Sequence, residues 1–260
     1  MQPIQIGVFL VHTCFFLCSF LPNTSISNGI KEGHFSPMIY YFIWYMLTMI
    51  TYILACKDPF FISDMETHLS QQENLFHCEK CNIDCPIRAS HCKECGKCVL
   101  RRDHHCPFLG KCVGMGNHMY FLLFLLFLSI FDVKTCIVFA KSMIDDLEFG
   151  RWLITSLPCT ICLFMAVISI IQPVLLFPVH LYFAFANITT WESARKTQIT
   201  YLSSWNLRLS PFSRGLISNI WEFITMRWKK PSYSVPVSEE ELKQWREDNS
   251  FLSNDRYECC

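Results

Sequence analysis

The chain of 260 residues is 52% hydrophobic and 17% charged, with 22 Lys and Arg balancing 22 Asp and Glu. A net charge of zero argues against a nucleic-acid binder, which carries a basic excess, and an apolar share with 23 Phe argues against an ordinary soluble domain. The 16 cysteines would suit a secreted disulfide framework, but many follow CxxC spacing with interleaved histidines, which reads as metal binding.

In chain order, the first apolar run covers roughly Ile4 to Leu21 and is interrupted by His12. It lacks the basic start and small-residue cleavage site of a signal peptide, so it reads as a membrane span. A second run covers roughly Met38 to Cys56 and approaches the length of about 20 residues that crosses a bilayer. The cysteine-rich segment from Lys57 to His118 follows. A third run begins at Tyr120 and continues to Ala140, with Asp132 and Lys134 inside it. The fourth lies within Trp152 to Ala186, a stretch too long for one upright helix.

This pattern predicts an all-α polytopic membrane protein with four transmembrane helices. Its parts are 1–56 with the first two spans, 57–118 with the cysteines, 119–186 with the last two spans, and a C-terminal region over 187–260. The cysteine segment carries Lys57, Lys80, Arg88, Lys93, Lys97, Arg101, Arg102 and Lys111, and the region after Asn187 is also rich in Lys and Arg. The positive-inside rule therefore places the cysteine segment and both termini in the cytosol. That compartment is reducing, so the cysteines are expected as thiols or zinc ligands. Asn187-Ile188-Thr189 fits a glycosylation sequon, but on the cytosolic side it is expected to be silent.

Between Cys78 and His118 stand the candidate ligands Cys78, Cys81, Cys85, His91, Cys92, Cys95, Cys98, His104, His105, Cys106, Cys112 and His118. Structural zinc takes four N or S ligands, typically from CxxC turns whose sulfurs converge. Two sites would use eight of these residues and leave four, and spacing alone does not say which. Across Asp103-His104-His105-Cys106 an extended backbone alternates its faces, so His104 and Cys106 share one and Asp103 and His105 the other. If His105 faces a metal, His104 and Cys106 turn away together. An imidazole beside a thiol activates it as a nucleophile, and an acidic residue such as Asp103 would orient that imidazole if the chain turns enough. The alternative is that Cys106 is another zinc ligand.

The sequence resembles the DHHC family of protein S-acyltransferases (palmitoyltransferases). The likeness runs through Cys78-x2-Cys81, Pro86-x-Arg88, His91-Cys92-x2-Cys95-x2-Cys98, Asp103-His104-His105-Cys106, Cys112, Asn117 and Phe121. The resemblance implies one structural zinc on Cys78, Cys81, His91 and Cys98, and a second on Cys92, Cys95, His105 and Cys112, in a cytosolic two-zinc β-hairpin domain between spans 2 and 3. It implies Cys106 as the nucleophile, His104 as its base and Asp103 as the residue orienting that base. It also implies long-chain acyl-CoA as co-substrate, membrane-associated proteins with cytosolic cysteines as substrates, no nucleic acid, and a Golgi or ER membrane.

Further marks are Lys57-Asp58-Pro59-Phe60, similar to the family's Asp-Pro-Gly, and Thr189-Thr190-Trp191-Glu192, similar to its Thr-Thr-x-Glu. The second of these also reads as a helix capping box. Gly215 and Asn219 resemble C-terminal family positions, and the same stretch reads as an amphipathic helix on the membrane surface. Departures stand at Phe60 in place of Gly, at Cys85 in place of a basic residue, at Phe108 in place of Trp and at Lys111 in place of Asn. Arg88 and Lys111, with Arg101 and Arg102, are candidates to meet the CoA phosphates. The competing function is a catalytically weak or inactive zinc-stabilised scaffold of the same family. A channel built on Asp132 and Lys134 is a third reading.

Overall fold

A computed structural model describes residues 3–62, 75–143, 148–203 and 210–229, together with 233, 235, 240, 241 and 243. The chain divides into two compact units, one of residues 1–54 and 120–178, the other of 55–119 and 179–260.

The first unit is helical. Helix α1 (Pro3–Cys18) is followed by α2 (Ser25–Lys31) and α3 (Ser36–Ala55). Helix α4 (His118–Ala140), α5 (Phe149–Thr155) and α6 (Leu157–Phe185) come after the cysteine segment. Among the described residues, α3, α4 and α6 are long and apolar enough to cross a membrane. Helix α1 is apolar but has 16 residues, about 24 Å at 1.5 Å per residue, against a hydrocarbon core of about 30 Å. Its apolar run is cut short because Pro22 cannot donate a helical hydrogen bond and Asn23 takes a left-handed φ of 69°. Thr24 then caps α2 by accepting from Ser27 N–H at 3.0 Å. The over-long fourth run resolves into α5 and the 29-residue α6, which carries Pro173 and Pro178.

The core of this unit gathers Phe15, Tyr41, Tyr45, Met49 and Phe131. Phe16 stacks on Tyr45 with ring centroids 4.6 Å apart, and Tyr41 stacks on Phe131 at 5.1 Å. Asp132 is buried against Ser169, while Lys134 is exposed. The two charges therefore do not pair, since residues i and i+2 point to different sides of a helix.

The second unit holds three antiparallel hairpins. They pair β1 (Leu75–Cys78) with β2 (Ile83–Pro86), β3 (Ser90–Cys92) with β4 (Lys97–Val99), and β5 (His104–Cys106) with β6 (Lys111–Val113). After α6 come α7 (Thr190–Ala194), α8 (Thr200–Ser203) and α9 (Leu216–Thr225). Asn117 fixes the start of α4 by donating to Ala55 O at 2.8 Å and Cys112 O at 3.1 Å, and it accepts from Gly114 N–H at 2.9 Å. Phe60 adopts a φ of 68°, the left-handed region that glycine enters without strain. Its ring packs on the Gly116 backbone, where a Cβ would lie 2.3 Å from Asp58 O and 2.8 Å from the Phe60 ring. Helix α9 buries Asn219 and Phe223 and exposes Ile217 and Trp221.

Candidate active site and metal centres

The hairpins bring the expected metal ligands together in two groups, Cys78, Cys81, His91 and Cys98, and Cys92, Cys95, His105 and Cys112. The register explains how. His91 pairs across its hairpin with Cys98, and His105 with Cys112, so each pair projects from one face. His91 and Cys92 are neighbours on β3 and point to opposite faces, so one short strand serves both groups. Cys81 Sγ lies 3.2 Å from His91 Nδ1, and Cys95 Sγ lies 3.3 Å from His105 Nδ1 and 3.7 Å from Cys112 Sγ. A tetrahedral zinc with sulfurs at about 2.3 Å has sulfur–sulfur edges of about 3.8 Å, so these residues fit the ion.

Cys85, His104, Cys106 and His118 fall outside both groups. Cys85 is buried, and burial pushes its thiol up to about 11. On β5 the alternation turns His105 to its metal group and leaves His104 and Cys106 together. His104 Nδ1 lies 2.7 Å from Asp103 Oδ2, and Cys106 is a further hydrogen-bond partner of the same ring. Burial alone would lower the imidazole, but the bonds to Asp103 and Cys106 outweigh it and raise His104 to about 9. Burial likewise works against the Asp103 charge, yet the surrounding imidazoles hold its carboxyl well below the usual range.

Asp103 is itself fixed from several sides. Its N–H donates to Val113 O at 2.9 Å. Thr190 donates its N–H to Oδ1 at 2.7 Å and its hydroxyl to Oδ2 at 2.9 Å. His118 Nε2 stands 3.8 Å from Oδ1, and His180 Nδ1 stands 3.7 Å from Oδ2. This is the local role of the Thr-Thr-x-Glu stretch. Thr189 and Glu192 form the expected capping box, with Glu192 N–H on Thr189 Oγ1 at 3.1 Å and Thr189 N–H on Glu192 Oε2 at 2.9 Å. Thr190, in the first turn of α7, then has a backbone N–H without a helical partner to offer Asp103.

Arg88 corrects the sequence reading. Expected to meet CoA phosphates, it is fully buried and gives Nε and Nη2 to Glu192 at 2.7 and 2.8 Å, and Nη1 to Asn187 Oδ1 at 2.9 Å. Phe212 covers the guanidinium at 4.2 Å. A fork-shaped cation with its donors satisfied by a buried carboxylate stays inside the fold. Arg101 is buried as well, bonded to Asn187 Oδ1 at 3.1 Å. Lys111, by contrast, is half-buried and pairs directly across β5–β6 with Cys106, so its side chain rises on the same face as the thiol.

The sequence reading missed His180 and the organising role of Asn187. Asn187 accepts from both arginines and donates to Phe212 O at 2.9 Å and Glu222 Oε2 at 3.1 Å. The available signal was an Asn directly after the fourth apolar run, since Asn often terminates a helix in the left-handed conformation, here with a φ of 48°. His180 sits in an apolar run and offers no comparable mark.

The profile of the DHHC palmitoyltransferase family matches residues 71–197. A ZDHHC-type palmitoyltransferase 7 of Dictyostelium discoideum is 32% identical over 203 residues, 75% of this chain and 45% of that protein. Palmitoyltransferase ZDHHC12-A of Danio rerio is 29% identical over 246 residues, 82% of this chain and 87% of that protein. The chain thus spans just under half the length of the Dictyostelium relative and most of the Danio one. With the hairpins, both four-ligand groups and the Asp103–His104–Cys106 arrangement in place, the chain belongs to the DHHC palmitoyltransferase family.

Proposed function

We propose that this protein is a protein S-palmitoyltransferase that moves a long-chain acyl group from acyl-CoA to Cys106 and then to cysteines of membrane-associated proteins. The observation that carries the reading is the hydrogen-bonded Asp103–His104 pair at 2.7 Å with Cys106 as the further partner of His104. Cys106 Sγ attacks the thioester carbonyl, its proton resting on His104, and the CoA sulfur leaves as that proton is returned to it. A substrate thiol then gives its proton to His104 and attacks the acyl carbonyl, which frees Cys106. Thioester exchange is nearly isoenergetic, so the enzyme supplies proximity and an activated thiol. Lys111, beside Cys106, is the cation for a CoA phosphate.

The two four-residue groups each hold a structural zinc, which leaves no open position for substrate. The chain crosses an endomembrane of the Golgi or ER four times, α1 serving as the shortest span, with the zinc domain and both termini cytosolic. Residues 1–56 and 119–186 carry the spans, 57–118 the zinc domain and 187–260 the C-terminal region. The acyl chain lies among the spans, where each buried CH₂ contributes about 0.8 kcal/mol.

Acyl loading tests the reading. Membranes containing the protein are given an alkyne fatty acyl-CoA, and label is read on the purified chain with neutral hydroxylamine as the thioester test. Hydroxylamine-labile label absent from Cys106→Ser is the expected result. A folded, zinc-loaded wild type that takes no label would instead make the protein an inactive scaffold.

A further inference from the structure

A third group of metal-ligating side chains lies in the hairpin unit, outside the two zinc groups. Asp103, His104 and His180 bring one carboxylate oxygen and two ring nitrogens within 4.8 Å of one another. His180 Nδ1 is 3.7 Å from Asp103 Oδ2, and the His104 and His180 ring centroids are 5.4 Å apart. A tetrahedral ion with ligands at about 2.1 Å has edges of about 3.4 Å, so the carboxylate–His180 separation is close to a coordination edge. The 2.7 Å contact of His104 with Asp103 is a hydrogen-bond length. An ion would replace the shared proton as the His104 ring moves outward by a fraction of an ångström. The ring has room, because 27% of the His104 side chain is exposed while Asp103 is fully buried.

A second observation points to a ligand here. His118 is fully buried and aims Nε2 at Asp103 Oδ1 from 3.8 Å, and neither of its ring nitrogens has a hydrogen-bond partner among the described residues. Its ring meets His180 edge-on at 5.9 Å. A Cys-His-Asp arrangement needs one imidazole, and this carboxylate has three around it. Thr190 holds the carboxylate from behind with two hydrogen bonds, the kind of support that orients a metal-binding carboxylate.

We propose that Asp103, His104 and His180 form a third, exchangeable transition-metal site, and that a divalent ion such as Zn²⁺ bound there silences acyl transfer. The donor set of one carboxylate and two imidazoles, with a fourth position open on the His104 side, differs from the closed thiolate-rich groups and favours exchange. The ion takes the His104 nitrogen and the Asp103 oxygen and releases the proton between them. Silencing rests on the reading of His104 as the base; metal binding does not.

The test uses the full chain in nanodiscs with two zinc ions already bound. Zn²⁺ is added, bound metal per chain is measured by atomic emission, and self-acylation is followed in parallel; Co²⁺ is added in a second series for its spectrum. The expected result is a third equivalent that lacks a sulfur-to-cobalt band and lowers self-acylation by about 10²-fold or more, the scale of a lost general base. His180→Ala and His180→Asn should each bind two ions and respond to added Zn²⁺ by less than about twofold relative to their own ion-free rates. A wild type that stops at two ions overturns the site, as does a third ion that survives both substitutions. A His180-dependent third ion that leaves the rate unchanged overturns the silencing and, with it, the base role of His104. If both variants lose their structural zinc, the wild-type spectrum decides, and a thiolate band with the third equivalent overturns the site.

Discussion

Two buried aspartate–histidine pairs, Asp132 with His12 in the helical unit and Asp103 with His104 in the hairpin unit, use the same residue types at 3.8 Å and 2.7 Å. Asp132 accepts one hydrogen bond, from Ser169 at 2.8 Å, and its Oδ1 has no hydrogen-bond partner among the described residues. His12 turns Nδ1 to its own helix at Val8 O, 2.8 Å away. Asp103 accepts from the Thr190 N–H, the Thr190 hydroxyl and His104, and its backbone is tied to Val113. The difference lies in what carries the side chains. Asp132 and His12 project from two apolar helices and share Ser169 Oγ, which lies 2.8 Å from Asp132 Oδ2 and 3.3 Å from His12 Nε2. Asp103 is pinned between a strand pair and a capped helix start, so its geometry is set before any substrate arrives, as the base-orienting role proposed for it requires.

The largest expected effect removes the frame. Structural zinc contributes about 10–16 kcal/mol to the folding of small metal domains, so Cys98→Ser should halve the zinc content and expose the hairpins to protease. Retained zinc and protease resistance would mean that the hairpins hold without the metal. Asp103→Asn should slow self-acylation by about 10²-fold or more, whereas Asp132→Asn should stay within about threefold of wild type. Equal losses would erase the distinction drawn above. Arg88→Ala leaves the Glu192 carboxylate buried and unpaired, and should cost about 3–5 kcal/mol in chemical denaturation. The smallest effect belongs to Ser169→Ala, which removes the hydroxyl's hydrogen bonds with Asp132 and His12 and should lower stability by about 1 kcal/mol.

Much of the active region was legible because zinc spacing and strand alternation are both local. The twelve candidate ligands, and the separation of His104 and Cys106 from His105, are read from residues within 41 positions of sequence, Cys78 to His118, while the division into two sets of four came from the family resemblance. The capping box of Thr189 and Glu192 was equally local and appears as expected. Arg88 was not legible. A lone arginine in a basic segment looks like a surface charge, and its partners Glu192 and Asn187 stand 104 and 99 positions away. Phe60 falls between these cases. Its place in an Asp-Pro-Gly-like turn was visible, but the left-handed backbone that makes the departure costly was not.

The sequence by itself determined the membrane character, the candidate metal ligands and the shared strand face of His104 and Cys106. Each of these depends on hydropathy or on the period of a single element, which neighbouring residues encode. Only the tertiary structure decided that Asp103 is held by Thr190 and ringed by His118 and His180, that Arg88 is an interior ion-pair partner, and that Asp132 turns to Ser169 and away from Lys134. Those contacts join residues far apart along the chain, and packing and burial select them after the local elements have formed.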